Sequence, residues 1–316
     1  MEETTKKELP EDYDVYKSRG FQSIGTAVKQ SIAVVREAKL GLRKVLPTSW
    51  KRLNRNLLGG LQQGKMYVIA GRPGVGKSAF SNQLIFDVLD VNSEKDITVL
   101  YWTFEMPGYQ QVMRSAAKDV KKQLGELFSI DTPLSDVDFR TYAAKVQKYK
   151  DYAIYFNNIP RTMDYIMSAN KEIQEAHPDT IVINLFDHSR LIRGNEETEL
   201  RKLNAISKGC MLMQAELGVV NILLSQLNRN IEQEHRARNQ YQPLLTDIFG
   251  GDSIGQDAHV VIILNRPFDL YGITNEYCGE DPKGLLACHM EKNRDGLLGM
   301  IGYEADMSTF TIKERT

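Results

Sequence analysis

From Ser23 to Lys39 the apolar residues Ile24, Ala27, Val28, Ile32, Val35 and Ala38 return at helical spacing, which predicts an amphipathic helix ending near Gly41. Nothing adjacent in sequence offers this helix a partner, so its stripe must dock on a domain, its own or a neighbour's. Residues 1–20 are charged and contain Pro10; they read as a flexible arm, so residues 1–45 form an arm and a helix ahead of the main domain, 46–316. Beyond the turn at Pro47–Trp50, short apolar runs alternate with helical stretches. Met66–Ala70, Ile97–Phe104, Thr180–Phe186, Val219–Leu224 and Val260–Leu264 have strand length, are rich in Val and Ile, and are mostly free of polar interruption. Such runs suit parallel strands buried on both faces. Ala79–Leu89, Gln110–Leu127, Met163–Ala176 and Glu197–Leu217 read as crossover helices between them. The expected class is α/β, with a mainly parallel sheet flanked by helices. After Leu285 the pattern changes to Leu285–Glu291, Met300–Tyr303 and Thr309–Ile312, a closing antiparallel meander.

Composition narrows the setting. At 316 residues, with 42% apolar and 26% charged residues, the chain can bury a large core without disulfides or structural metal. Its three cysteines, Cys210, Cys278 and Cys288, form no CxxC pair, which suits a reducing compartment. No stretch approaches the ~18–20 apolar residues of a membrane span, and Met1–Asp14 has no apolar signal core. The expectation is a soluble, cytoplasmic protein without membrane contact. Forty basic against 41 acidic residues argue against a surface coated for duplex DNA but leave room for a narrow basic channel.

Gly71, Arg72, Pro73, Gly74, Val75, Gly76, Lys77 and Ser78 satisfy GxxxxGK[ST] without a mismatch, between an apolar run and a helix that opens at Ala79. That context is what a phosphate-binding loop requires. The glycines let the backbone curl so that its N–H groups face phosphate oxygens. Lys77 would then lie between the β- and γ-phosphates of ATP, and the Ser78 hydroxyl would ligate Mg²⁺. Hydrolysis needs more. Asp187 ends the run Ile181–Phe186 at the edge where ligands bind in doubly wound sheets; it reads as a second magnesium ligand or as a helix N-cap. Glu105 closes the run Val99–Phe104 and could polarise the attacking water, or be a surface acid. Gln226 ends the next run, where its amide could sense the γ-phosphate or serve structure alone.

The order GRPGVGKS, then TFEMP at Thr103–Pro107, a strand ending in Asp187, and SQLNR at Ser225–Arg229 resembles the RecA-like motor domain of DnaB-family replicative helicases. Pro47-Thr48 with Gly59-Gly60-Leu61, the stretch Asp252–Ala258, and Lys292-Asn293-Arg294-Asp295-Gly296 extend the resemblance over roughly Leu46 to Ile312. It implies a RecA-like P-loop NTPase with Glu105 as catalytic base, Asp187 completing the Mg²⁺ shell, and Gln226 as sensor. It further implies that Lys292 and Arg294 reach a neighbouring subunit's ATP, although the same residues also read as a solvated basic turn. By the same token the Ser23–Lys39 helix becomes a linker packing on the adjacent subunit, and the partners become single-stranded DNA and further copies in a hexameric ring. Primase, a helicase loader and polymerase follow as possible partners by the same route. The family's separate N-terminal, primase-binding domain has no counterpart here. Phe249-Gly250 replaces the Arg-Glu pair usual in the DNA-facing loop, which leaves the backbone of Gly250 and Gly251, with Arg229, Arg236 and Arg238 on a longer loop, as candidate strand contacts. A RecA-like recombinase or mediator, and a non-catalytic nucleotide-switched ring subunit or helicase regulator, are the competing readings.

Overall fold

The apolar runs expected as strands lie side by side in one sheet. The computed structural model describes residues 19–104, 106–194, 196 and 198–315, and for Gly251 and Asp252 the backbone alone. The arm up to Ser18 and the expected base Glu105 lie outside the described residues. A short antiparallel pair, β1 (Val45–Leu46) and β2 (Leu61–Gln62), precedes the main strands: β3 (Met66–Gly71), β4 (Ile97–Thr103), β5 (Ile154–Asn157), β6 (Ile181–Asp187), β7 (Val220–Gln226), β8 (Val260–Asn265), β9 (Leu285–Asn293), β10 (Gly299–Asp306) and β11 (Thr311–Glu314). Among the described residues they form a nine-stranded sheet in the order β11-β10-β9-β8-β3-β7-β6-β4-β5. Neighbours from β8 to β5 run parallel, whereas β9, β10 and β11 close the sheet antiparallel.

The helices are α1 (Ile24–Lys39), α2 (Lys51–Asn56), α3 (Lys77–Val91), α4 (Gly108–Val120), α5 (Leu124–Phe128), α6 (Asp136–Gln147), α7 (Met163–Ala176), α8 (Glu199–Leu217), α9 (Gly251–Asp257) and α10 (Pro267–Tyr271). Strand alternation divides the core between the two faces of the sheet. Tyr67 and Ile69 of β3 join Trp50, Phe80, Leu84 and Ile85 on one face. Met66, Val68 and Ala70 of the same strand join Ile166, Leu203, Ile206 and Met213 on the other. A parallel sheet covered on both faces explains why its strands read as unbroken apolar runs.

The chain divides between Lys44 and Val45 into two compact units. In the first, the Ser23 Oγ accepts the Thr26 N–H at 3.2 Å and caps α1, while Arg36 and Lys39 occupy its last turn, where cations favour the helix dipole. Two departures from expectation fall in the second. The helix foreseen over Gln110–Leu127 breaks at Lys121, whose φ of 54° ends α4; α5 begins after it. The edge strand β5 and the helix α6 were not foreseen. None of the four residues of β5 is buried, and Tyr155 is 62% exposed, so the strand lacks the long buried run that marks its neighbours.

Within the sheet a polar network is fully enclosed. Asn184, 0% exposed in the middle of β6, accepts from Trp102 Nε1 at 3.0 Å and from Asn170 Nδ2 at 3.1 Å. Its own amide donates to Asn170 Oδ1 at 2.8 Å and Asn221 Oδ1 at 3.2 Å. The network ties β4, β6, β7 and α7 together just below Asp187.

Candidate functional site

A cleft of about 450 Å³ opens above the carboxyl ends of β3, β6 and β7, within the size range of a nucleotide-sized ligand site. Strand register builds it. Gly71 of β3 pairs with Gln226 of β7, and Thr103 of β4 pairs with Asp187 of β6, so the four strand ends share one edge. Between Gly71 and α3 the loop turns through Gly74 (φ 78°) and Gly76 (φ 105°), backbone states that side chains other than glycine seldom adopt. Gly76 is the residue on which α3 starts, and no side chain caps that helix. The first-turn N–H groups of α3 therefore point into the cleft, the arrangement that receives anions.

Lys77 and Ser78 open α3 and line the cleft with Pro73, Gly74, Gly76 and Ala79. The Lys77 ammonium donates to the carbonyls of Gly71 (2.9 Å) and Arg72 (3.1 Å). Asp187 and Gln226 line the same cleft, and Asp187 is 4% exposed. Beneath it, burial first and the Asp187 charge second push the Tyr101 phenol well above its ordinary range, so that ring adds no charge. Two members of the expected loop play other parts. The Val75 side chain is fully buried in the core. The Arg72 side chain turns from the cleft to Glu232, with Nε and Nη2 lying 2.8 and 2.6 Å from Glu232 Oε1.

Four cleft residues were not foreseen: Arg114, His188, Met307 and Phe310. Arg114 projects from α4, and its guanidinium stacks over the Phe310 ring 5.0 Å from the centroid, a cation–π contact. Met307 packs so close to Gly76 that a Cβ there would lie 2.6 Å from its Cε. A basic residue nine positions after Glu105 and a turn between two C-terminal strands carry no motif; folding alone brings them over the phosphate loop.

Lys292 and Arg294 lie elsewhere. Because β9 runs antiparallel to β8, its last residues fall at the sheet edge opposite the phosphate loop. There Lys292 Nζ donates to the carbonyls of Gly255 (2.8 Å) and Gln256 (2.6 Å), and Arg294 Nη2 donates to that of Gln256 (2.9 Å). Both cations cap the carboxyl end of α9. Desolvation, and then the neighbouring Arg294, lower the Lys292 pKa.

The candidate strand-contacting residues separate. Arg229 and Arg238 are exposed and form no ion pair among the described residues. Arg236 is a correction: it is 8% exposed, and its two terminal nitrogens donate to the two Asp247 carboxylate oxygens at 3.0 Å each. That charge is neutralised inside the chain, where a bidentate, desolvated pair is geometrically fixed. Gly250 starts α9 in the left-handed region, at φ 69°. A Cβ there would lie 2.7 Å from Leu203 Cδ1, so close packing also calls for glycine. Gly251 follows as the first residue of α9.

A model of the DnaB-like helicase C-terminal domain matches residues 45–312. The chain is similar to the replicative DNA helicase DnaB of Geobacillus stearothermophilus, 28% identical over 81% of this chain and 53% of that protein. It is likewise similar to the replicative DNA helicase DnaC of Bacillus subtilis, 27% identical over 81% of this chain and 53% of that one. The chain thus spans about half the length of the curated relatives it matches. Among solved structures it resembles an isolated ATPase domain, with a TM-score of 0.79 and 20% identity over 92% of this chain and 99% of that one. A DnaB-like replicative helicase studied with primase gives a TM-score of 0.78 at 20% identity, over 93% of this chain and 67% of that one. These likenesses establish the RecA-like ATPase fold.

Proposed function

Given that this chain belongs to the family of DnaB-like helicase C-terminal domains, we propose that it is the ATP-hydrolysing motor of a ring-shaped replicative DNA helicase that moves along single-stranded DNA. One observation carries the reading. Lys77, Ser78, Asp187 and Gln226 share one cleft, whereas Lys292 and Arg294 sit at the opposite sheet edge, so the two cations can complete only the cleft of another copy. That placement supports a site shared between copies.

The P-loop N–H groups and Lys77 bind the β- and γ-phosphates of ATP. Ser78 and Asp187 are hard oxygen donors on the same cleft, a set that suits Mg²⁺ held largely through phosphates and water. No group of three His, Cys, Asp or Glu able to hold a cation alone occurs among the described residues. When bound, Mg²⁺ supplies positive charge toward the phosphate oxygens. Glu105 accepts the proton of the attacking water, and Arg294 of a second copy, with Lys292 beside it, meets the charge that spreads onto the γ-phosphoryl group, an effect that reaches ~10³–10⁵ in rate for arginine fingers. Arg114 adds a cation in cis. Gln226 reports the phosphate state: its carbonyl accepts the Phe249 N–H at 2.9 Å, directly ahead of Gly250 and Gly251. Those glycines, with Arg229 and Arg238, contact the strand backbone, which needs charge and dipoles more than base readout.

The ring is a homohexamer in this reading, and α1, with Ile24, Val28, Ile32 and Val35 along one side, ties each copy to the next. No helix among the described residues is long and apolar enough to cross a membrane; the site of action is the cytoplasm of a bacterial or phage-infected cell, with primase, loader and polymerase as candidate partners. The deciding experiment incubates the chain with ATP and forked DNA while ATP turnover is followed with and without single-stranded DNA. Strand separation and DNA-stimulated turnover are expected. Turnover indifferent to DNA would point to a nucleotide-switched scaffold, and strand pairing without separation to a recombinase.

A further inference from the structure

Arg72 carries its side chain from the phosphate loop across to the segment between β7 and α9. Besides its two contacts with Glu232, its Nη1 donates to the Leu227 carbonyl at 3.1 Å. Its own carbonyl accepts from Lys77 Nζ at 3.1 Å. The residue therefore touches the phosphate-binding lysine through its backbone and the segment beyond β7 through its guanidinium. That segment is internally stiff. Ile231 is fully buried beside Glu232, and Asn228 N donates to Asp247 O at 2.7 Å. Asp247 in turn holds Arg236 and accepts the Leu244 N–H at 2.8 Å. These contacts join Glu232 to the turns that carry Arg229 and Arg238.

We propose that Arg72 and Glu232 form a positioning pair that transmits occupancy of the phosphate loop to the arginine-bearing segment, so that nucleotide sets its affinity for single-stranded DNA. The proposal rests on the motor reading above and deepens it. The pair adds a second route beside the Gln226–Phe249 backbone contact. Gln226 senses the terminal phosphate from β7, whereas Arg72 follows the loop that cradles all of the phosphates. Coupling of this kind is reciprocal: DNA on the segment must tighten nucleotide binding by the same factor.

The test uses the assembled full chain and labelled oligothymidylate, whose affinity is measured with and without a non-hydrolysable ATP analogue, alongside DNA-free ATP turnover. The variants are Glu232→Gln, Glu232→Asp, and Glu232→Gln combined with Arg72→Ala. For the parent chain the analogue shifts DNA affinity, typically by about 5-fold or more, the lower end of allosteric coupling. Glu232→Gln is expected to bring that ratio close to one, leaving DNA-free turnover within about two-fold, a readout that general destabilisation would not spare. Glu232→Asp, which retains the charge, should restore much of the response. The double variant should likewise show a ratio close to one, because Arg72→Ala removes the same ion pair together with the Nη1 bond to the Leu227 carbonyl. An unaltered ratio in Glu232→Gln overturns the proposal and leaves the motor reading standing. A parent chain that binds no single-stranded DNA, with or without nucleotide, brings down both.

Discussion

Replacing Asn184 by leucine keeps its branched outline and removes the four hydrogen bonds it makes to Trp102, Asn170 and Asn221. The loss is asymmetric. Asn170 Nδ2 keeps the Ile166 carbonyl (2.8 Å) and Asn221 Nδ2 keeps the Cys210 carbonyl (2.9 Å). Trp102 Nε1, Asn170 Oδ1 and Asn221 Oδ1 are left without those partners in a site closed to water. Each orphaned buried group costs roughly 1–3 kcal/mol, while burying the leucine side chain returns about 1.5–3 kcal/mol. At mid-range values the net loss is about 4 kcal/mol, a large part of the ~5–15 kcal/mol by which domains are stable. Guanidinium denaturation followed by tryptophan fluorescence is the suitable assay, since Trp102 sits in the network and reports its opening. A lowered midpoint, with ATP turnover reduced because Asp187 lies three residues along the same strand, is the expected outcome. A loss below about 1 kcal/mol would refute the claim that satisfied polar pairing, and not shape alone, fixes β6 between its neighbours.

Three further outcomes are expected. Lys77→Ala removes the ammonium from the phosphate loop and should lower turnover by on the order of 10²-fold or more; steady-state hydrolysis near the parent rate would contradict the site. Arg294→Ala subunits mixed with Lys77→Ala subunits should regain hydrolysis over either variant alone if the arginine acts in trans, because some interfaces then join an intact phosphate loop to an intact Arg294; no recovery would argue that it does not. Burial lowers the His289 pKa to about 4, so between pH 6.5 and 4 the unfolded chain binds the extra proton and stability falls as pH falls, by roughly 3 kcal/mol for this group. His289→Gln should flatten that part of the curve, and thermal unfolding across pH 4–7 with an unchanged slope would show that the ring charges within the fold.

How much could be read beforehand varied with how local the cause was. The strands β3, β4, β6, β7 and β8 were legible because burial on both sheet faces leaves a continuous apolar run, and α1 because Ser23 caps a periodic stripe. The phosphate loop was legible because its backbone geometry demands glycines at set spacing. Asp187 and Gln226 were legible as polar residues ending such runs; that they line one cleft follows from the register of β6, β7 and β3. What escaped depended on distant parts of the chain. β5 borrows its hydrogen bonds from β4, Arg114 acquires meaning only when α4 carries it to Phe310, and Arg236 looked like a free cation until Asp247 was found against it.

Local chemistry, in short range along the chain, therefore determined the class of fold, the phosphate loop and most of the elements, since period, caps and turn residues act over a few positions. Tertiary packing decided which charges are spent internally, which side chains enter the cleft, and that Arg72 faces Glu232 while Arg294 lies at the far edge. The reason is physical: strand order and direction place residues more than a hundred positions apart within bonding distance, and no local pattern encodes such a distance.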